Sequence, residues 1–319
     1  MGGVCIGSAG ELLVEFVCTE KDARHLQAAP YVGPFPSGAP GIFIDQAARV
    51  AAGLGCRAVF AGAVGDDAFG RVILQRLVQD GVDPALIRVI AGVPTGTAHV
   101  SYNSDGSRDF VFNMAHSAAA HLPSGGEIEA GFLAAGITVL HISGSMLGNA
   151  AMRAAAVDLC QRLHAKGVAI SIDPNIRTEL ITDKGYLQAV RGIMALASYV
   201  LPSDADADLL FPGQPFDDWS ARLLSARARV VVLKRGDQGC IGRDAGGSHA
   251  LPAHAVTVVD PTGAGDCFCA TLVTLLAVGQ PLALALARAN AAGALAVTRL
   301  GPMEGNAALA EIDAMRGPP

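Results

Sequence analysis

The chain has 319 residues, 51% of them hydrophobic and 5% aromatic, and its 23 basic and 29 acidic side chains give a net charge of −6. This length suits one large α/β domain or two small ones, and a core of Ala, Val, Leu and Ile suits a parallel sheet with helices on both faces. No block of Lys and Arg occurs, which argues against a nucleic-acid-binding surface.

The first segment of the chain, MGGVCIGSAGELLVEF, predicts a strand and not a signal peptide. It has no basic n-region, and Glu11 and Glu15 interrupt its apolar run. The longest apolar run, 267–279, is too short to span a bilayer, so we expect no membrane partner. The seven cysteines are scattered without a CxxC pair, which predicts reduced thiols in a cytoplasmic protein.

A small β layer is predicted in the first third of the chain. LLVEFVC (12–18) predicts one strand, and AHVSYN (98–103) and RDFVFN (108–113) predict a hairpin around an Asp-Gly turn. This layer could cover a cleft as a lid, or it could be an edge hairpin packed on the core.

The remaining two thirds alternate predicted strands and helices. Buried strands are predicted at 137–143, 168–173 and 230–234, and an amphipathic helix at 150–166 ends at Gly167. Repeated β-α-β units indicate an α/β fold, a doubly wound and mostly parallel sheet with right-handed crossovers and helices on both faces.

The stretch VVDPTGAGDCFCATL (258–272) carries the strongest chemical signal. We predict that VTVVD (256–260) forms a strand ending at Asp260 and that an apolar helix begins near Asp266. In open α/β sheets, ligands bind outside the carboxyl ends of the strands, which is where this turn would lie.

The turn between the two acids predicts an anion-binding site. The first N–H groups of a helix lack intrahelical partners and carry the positive end of the dipole, so Gly263, Ala264 and Gly265 can offer backbone N–H groups to a phosphoryl oxygen. Asp266 would then face the nucleophile and accept its proton, since phosphoryl transfer needs mainly positioning and charge neutralisation. The alternative is that Asp266 is only a helix N-cap.

Other catalytic templates fit less well. GxxxxGK[ST], HExxH and GxSxG do not occur, and the eight histidines are scattered. The GxGxxA match at 53–58 follows a predicted helix and precedes a predicted strand, which is the reverse of the order in a dinucleotide-binding fingerprint.

DPTGAGDCF (260–268), with ANAAGALAVT (289–298), resembles the ribokinase-like carbohydrate kinases, with sequences of the fructokinase, tagatose kinase and 2-keto-3-deoxygluconate kinase types as the nearest. Five earlier segments of the chain also match, in the family's order: GPFPSGAPGIF (33–43), GAVGDDAFGRVILQRLVQDGVD (62–83), LHISGS (140–145), IDPNIR (172–177) and VVVLKRGDQGC (230–240). The resemblance implies one kinase domain over 1–319, with a β lid from about 11–45 and 94–115 on an α/β core.

The resemblance also assigns residues. Asp266 would be the general base, and Gly263, Ala264 and Gly265 the anion hole. ATP would lie along Ser203, Lys234, Gly236, Gly239 and Asn290, and the sugar would face Glu15, Gly38 and Arg177. Read without the resemblance, Glu15 is a solvated strand residue, Arg177 a surface ion pair and Asn290 a polar helix position. Relatives further imply ATP with Mg²⁺, a monovalent cation such as K⁺, and a homodimer through the lid.

Two segments depart from the family pattern. Where relatives carry an Asn that meets sugar hydroxyls, counting back from 54–55 gives Gln46 beside Asp45, whereas counting forward from Gly38 gives Ile42. We favour Asp45 and Gln46 as sugar ligands.

The second departure concerns the metal. The family's Asn-x-x-Glu segment is matched by Ser203-Asp204-Ala205-Asp206. Asp206 could hold Mg²⁺ through water, because that ion keeps several waters when it binds proteins.

The segment after the hairpin bears on the substrate. FVFNMAHSAAA (110–120) contains no Arg that could bind a carboxylate as a bidentate fork, so we predict a neutral ketohexose of the fructose or tagatose type. The alternatives are 2-keto-3-deoxygluconate, a nucleoside, or a non-catalytic sugar-binding sensor. The intact TGAGD turn argues against the sensor, which would not need a base.

Overall fold

The computed structural model describes residues 3–123, 125–178, 181 and 183–316. Its strands are β1 (Cys5–Ala9), β2 (Leu13–Cys18), β3 (Tyr31–Ser37), β4 (Arg57–Gly65), β5 (Val82–Ile90), β6 (Gly96–Tyr102), β7 (Arg108–Asn113), β8 (Val139–Ser143), β9 (Ala169–Asp173), β10 (Tyr199–Val200), β11 (Val230–Lys234), β12 (Cys240–Asp244) and β13 (Gly247–Leu251). Its helices are α1 (Ala39–Ala52), α2 (Ala68–Gln79), α3 (Gly125–Ala135), α4 (Ala150–Ala165), α5 (Lys184–Leu196), α6 (Asp204–Leu210), α7 (Phe216–Ala226), α8 (Ala264–Ala277), α9 (Leu282–Ala296) and α10 (Leu309–Arg316).

Nine strands form the central sheet in the order β13-β12-β11-β10-β9-β8-β1-β4-β5. The pairs from β11 through β5 are parallel, and β12 and β13 add an antiparallel hairpin at one edge. A second sheet has the order β3-β2-β6-β7. The predicted mostly parallel α/β core with a separate small β layer is therefore confirmed.

Helices cover both faces of the central sheet. One buried cluster contains Phe43, Leu77 and Leu272, from α1, α2 and α8. The other contains Phe132 and Leu159, from α3 and α4. A sheet buried on both faces has continuous apolar strands, which explains the runs that the sequence predicted as buried strands.

Several helices begin where a short polar side chain accepts a backbone N–H. Asp67 accepts from Gly70 at the start of α2, and Asn149 does the same for two residues of α4. Such caps satisfy donors that have no partner within the helix. The cap at Asn149 places the start of α4 at Ala150, where the sequence pattern predicts it.

The small sheet lies at 13–37 and 96–113, and it contains the predicted strand and hairpin as β2, β6 and β7. The predicted lid segment 11–45 also included the first half of α1, which instead packs in the core with Phe43 and Ile44 buried. The division of 1–319 into one kinase domain with this lid stays our proposal.

One predicted strand is wrong. Residues 256–260 form an extended loop, in which Val258 and Val259 are 59% and 50% exposed. The β12–β13 hairpin already occupies that edge of the central sheet, so VTVVD has no free strand to pair with there. The loop is fixed instead by backbone bonds from Val259 and Asp260 to the carbonyl of Val297.

Two further observations concern the cysteines and the possibility of a membrane-spanning helix. All seven cysteines are free thiols. Over the residues that the structure covers, we find no helix with both the length and the apolar character needed to cross a bilayer.

Candidate active site

A large cleft of about 1150 Å³ lies between the small sheet and the core. Its walls include Leu13, Ala98 and Phe110 from the small sheet and Lys234 and Asp266 from the core. This volume exceeds the range of about 300–1,000 Å³ that is usual for one small-molecule site, so the cleft has room for two ligands.

The Gly-Ala-Gly turn forms the floor of the cleft at the start of α8. Gly263 is the N-cap with φ 83° and ψ −9°, and a Cβ built on it would lie 2.5 Å from the carbonyl oxygen of Pro302. The first bond of the helix runs from Cys267 N to Gly263 O at 2.8 Å. The N–H groups of Ala264 and Gly265 therefore precede the helical ladder and remain available to an anion.

Asp266 lies at the third position of α8 and not at its N-cap, so the simple capping alternative does not apply. It lines the cleft with 9% of its surface exposed. Burial, followed by the negative charge of Asp173, raises the pKa of Asp266 to about 8, while Lys234 and Arg177 act in the opposite direction. A carboxyl group in this state can take up a proton near neutral pH.

A buried ion pair supports the turn from below. Lys234 Nζ donates to Asp173 Oδ2, and the side chains are 13% and 3% exposed. The Nζ atom lies 3.5 Å from the point where a Cβ on Gly265 would stand. Burial raises the pKa of Asp173, and Lys234 opposes that rise. The sequence predicted Lys234 along the nucleotide, and the pairing with Asp173 was missed because it joins two strands far apart in the chain.

The residues predicted for the nucleotide meet at one end of the cleft. Ser203, Gly236, Gly239 and Asn290 all line it. Gly239 has φ 85°, and a Cβ there would lie 2.0 Å from the carbonyl oxygen of Leu251. Asn290, on α9, is more than a polar helix position, because its Nδ2 donates to the carbonyl of Pro252 at 2.7 Å and its side chain faces the cleft.

The wall beside these residues is mostly apolar. It is formed by Ala253, His254, Ala255, Val256, Val258, Gly293, Ala294 and Val297. Such a wall suits the flat face of a nucleobase. The loop that was predicted as a strand thus supplies part of the cleft.

Asp206 is held by its own helix terminus. Its Oδ2 accepts from Ser203 N at 2.8 Å and from Ser203 Oγ at 2.7 Å, forming a capping box, and its Oδ1 accepts from Ile176 N at 2.7 Å. Among the residues that the structure describes, no group of three or more acidic, His or Cys side chains could hold a metal. Asp206 therefore suits contact with a hydrated ion better than direct ligation.

The opposite end of the cleft carries two buried carboxyl groups. Glu15 is 3% exposed, so it is not a solvated strand residue, and its Oε2 accepts from Ser37 Oγ at 3.3 Å. Glu11 Oε1 accepts from Ser145 Oγ at 2.6 Å. Burial raises the pKa of each acid to about 7. Glu11 was not predicted as a ligand, although its place in an apolar run four residues before Glu15 was the available signal.

Gly38 and Arg177 lie at the same end. Gly38 has φ 102° and a Cβ there would lie 2.6 Å from the carbonyl oxygen of Glu11, so this close approach requires glycine. Arg177 is exposed to the cleft and makes no ion pair among the described residues. The surface ion pair considered for it is therefore not formed in this part of the chain.

Asp45 and Gln46 do not reach the cleft, which corrects the register that we favoured. Both are fully buried; Asp45 accepts from Asn306 Nδ2 at 2.6 Å, and Gln46 Nε2 donates to Thr271 Oγ1 at 3.2 Å. The cleft meets only the first turn of α1, where Ile42 lines it. Residues three and four positions later lie one turn deeper in the helix.

Alternate residues of β7 also face the cleft, as the period of a strand requires. They are Arg108, Phe110 and Phe112, and the two aromatic rings stack at 5.3 Å. Arg108 lies 5.5 Å from the centroid of the Phe110 ring. An arginine is therefore present at the cleft, two residues before the segment on which the neutral-sugar prediction was based.

Comparisons with known proteins identify the family of the chain. The family described as pfkB family carbohydrate kinase matches residues 47–308. The chain is 31% identical to fructokinase-1 of Oryza sativa subsp. japonica over 306 residues, which cover 92% of each chain.

Solved structures of carbohydrate kinases share the fold of this chain over nearly its whole length. A candidate ribokinase II of E. coli in complex with ATP and Mg²⁺ is 37% identical, with a TM-score of 0.89 and 98% of each chain covered. A fructokinase double mutant of Vibrio cholerae O395, in its fructose-, ADP- and potassium-bound form, is 26% identical, with a TM-score of 0.80 and 98% of each chain covered.

Proposed function

Because the chain belongs to the pfkB family of carbohydrate kinases, we propose that it transfers the γ-phosphoryl group of ATP to a hydroxyl group of a ketohexose of the fructose type. One observation carries the proposal. The buried carboxyl group of Asp266 follows directly on the free N–H groups of the turn, where the two ends of one cleft meet. The fructokinases among the relatives support the choice of sugar.

The proposed reaction uses Asp266 as the base. The sugar hydroxyl loses its proton to the carboxylate while its oxygen forms a bond to the γ-phosphorus. The bond between that phosphorus and the bridging oxygen breaks, and the electron pair leaves with ADP. The N–H groups of Ala264 and Gly265 offset the charge on the transferred group.

ATP would lie along Ser203, Gly236, Gly239 and Asn290, with the lysine of the ion pair, Lys234, beneath its phosphates. The E. coli relative with ATP and Mg²⁺ supports this assignment. Both Asp206 oxygens accept neutral donors, so this residue would contact waters of a phosphate-bound Mg²⁺, whose chemistry is charge neutralisation on the phosphates.

A monovalent cation and a homodimer also belong to the proposal. A K⁺ requirement is supported by the potassium form of the V. cholerae fructokinase. Asp260 already accepts three donors, from Tyr102, Thr262 and Gly301, so backbone carbonyls would be the ligands. A homodimer would use the β7 edge of the lid, where Val111 is 44% exposed. The cytoplasmic location stays a prediction.

The first test is ADP release with ATP and Mg²⁺ against fructose, tagatose, psicose, ribose, 2-keto-3-deoxygluconate and adenosine. We expect a ketohexose to react fastest. Asp266→Asn should lower kcat by about 10²–10⁴-fold, the usual effect of losing a general base, while ATP binding by calorimetry changes little. The exposed surface variant Asp158→Asn is the matched control and should keep full activity.

Other outcomes point to the alternatives. An active Asp266→Asn variant would contradict the role of the base. Faster reaction of 2-keto-3-deoxygluconate would replace the neutral sugar with an acid, and Arg108 and Arg177 would be its partners. Preference for adenosine would indicate a nucleoside kinase. Sugar binding without turnover would indicate a sensor.

A further inference from the structure

Tyr102 connects the small sheet to the phosphate-binding turn. It is the last residue of β6, and its hydroxyl donates to Asp260 Oδ1 at 2.5 Å and lies 3.2 Å from Thr262 Oγ1. Tyr102 and Asp260 are 158 residues apart in the chain. Among the described residues, no other side chain of β2, β3, β6 or β7 hydrogen-bonds to the 258–266 segment.

The acceptor of this bond controls the backbone that leads into the turn. Asp260 is fully buried, and its Oδ1 also accepts from Thr262 N at 2.9 Å. Its Oδ2 accepts from Gly301 N at 3.0 Å. A carboxylate that binds the N–H two residues later fixes a local turn. The position of Asp260 therefore sets the path of the chain into Gly263 and the first N–H groups of α8.

The donor is joined by backbone hydrogen bonds to the part of the small sheet that lines the cleft. Tyr102 pairs in register with Arg108 on β7, and Arg108 lines the cleft. The carbonyl of Tyr102 also accepts from Asp22 N at 3.0 Å, which fixes it to the loop before β3. A displacement of the hairpin over the cleft must therefore displace the tyrosine hydroxyl as well.

We propose that Tyr102 is a positioning residue that couples the small sheet to the phosphate-binding turn. With the sheet in place over a sugar, the tyrosine hydroxyl completes the donors around Asp260, and the turn holds its N–H groups toward the transferred phosphoryl group. With the sheet displaced, Asp260 loses that donor and the turn relaxes. Phosphoryl transfer, including transfer to water, is then fast only when a sugar is bound. The inference rests on the proposed kinase function.

The kinetic test uses Tyr102→Phe, with Tyr31→Phe as the matched control. Tyr31 is in the same sheet, but its hydroxyl contacts His25 Nδ1 at 2.8 Å and not the core. We expect Tyr102→Phe to lower kcat for sugar phosphorylation by about 10- to 100-fold, the range for one hydrogen bond to a carboxylate. The sugar-independent ATP hydrolysis rate and the KM for ATP should change by less than about threefold.

A double-mutant cycle separates this role from general damage. If Tyr102 acts through Asp260, then Tyr102→Phe should have no further effect on kcat in an Asp260→Ala background, which removes the acceptor of its hydrogen bond. Additive losses would overturn the proposal. So would a kcat in Tyr102→Phe equal to that of Tyr31→Phe, or an equal fall in the sugar-dependent and sugar-independent rates.

A second measurement does not need turnover. With saturating fructose, hydrogen exchange of the 258–266 peptide should be faster by about tenfold or more in Tyr102→Phe than in the wild type and unchanged in Tyr31→Phe, whereas without sugar all three proteins should exchange alike. Equal exchange in both variants with fructose present would overturn the coupling. If the wild type phosphorylates no compound of the panel, the proposed function fails, and the exchange result alone still decides whether the small sheet and the turn are coupled.

Discussion

At the scale of single residues, the cleft separates carboxyl groups by the partners that each one has. Asp206 and Asp260 accept three hydrogen bonds each, which makes them part of the framework. Asp266 is buried near the negative charge of Asp173, and both effects raise its pKa to about 8. Residue type alone does not distinguish the groups, so the sequence could predict their chemistry only through the turn motif beside Asp266.

The raised pKa of Asp266 predicts the pH dependence of the reaction. The base works only when ionised, so kcat/KM for the sugar should rise about tenfold for each pH unit below the pKa and level off near pH 8. The measurement is a pH–rate profile with saturating ATP. A constant kcat/KM between pH 6 and 9 would mean that this carboxyl group does not limit the reaction or that its pKa is ordinary.

At the scale of elements, α8 depends on glycine at its N-cap. Gly263 has φ 83°, and a Cβ there would meet the Pro302 carbonyl oxygen at 2.5 Å. Gly279, after the other end of α8, has φ 82° and no atom within 4 Å of its built Cβ. The two positions therefore share the same backbone conformation but differ in the space around it.

This pair of glycines gives a matched test. Gly279→Ala should cost about 1–2 kcal/mol of unfolding free energy, the usual cost of a left-handed alanine, and leave kcat unchanged. Gly263→Ala should cost more and lower kcat at least about tenfold, because the turn must move from its phosphate-binding position. Urea unfolding and ADP release measure both effects. Equal behaviour of the two variants would mean that the close approach to Pro302 does not matter.

Element prediction from the sequence was most reliable where burial and period agree. The strand at 230–234 and the helix at 150–165 lie within a residue of their predicted bounds. The failure at 256–260 has a tertiary cause, because the alternating valines suit a strand but the edge they would need is occupied by β12 and β13. Asp45 and Gln46 failed for a similar reason, since counting positions does not show which helical turn meets the cleft.

At the scale of the whole molecule, the fold gathers distant segments into one cleft. Glu15, Gly38, Arg177, Lys234 and Asn290 were predicted from separate segments, and all of them line it. The order of the motifs made this grouping predictable. The bonds from Tyr102 to Asp260 and from Lys234 to Asp173 were not predictable, because each joins segments more than 60 residues apart with no local pattern.

The cleft also affects the stability of the whole chain. Asp266 has a folded-state pKa of about 8, above its ordinary value, so folding favours its protonated form. Its contribution to stability is present at low pH and is lost as the pH rises toward 8. Active-site groups commonly reduce stability in this way for the sake of activity.

Replacing this carboxyl group should therefore stabilise the protein increasingly as the pH rises. Relative to wild type, Asp266→Asn should gain on the order of 1 kcal/mol of unfolding free energy per pH unit between about pH 5 and pH 8. In a chain of this size, each gain of about 1 kcal/mol in unfolding free energy raises Tm by about 2 °C. Thermal unfolding of the ligand-free protein measures it, with Asp158→Asn as the exposed control. A difference from wild type that does not change with pH would mean that Asp266 ionises in the folded protein as readily as in the unfolded chain, and the burial argument for the base would then fail.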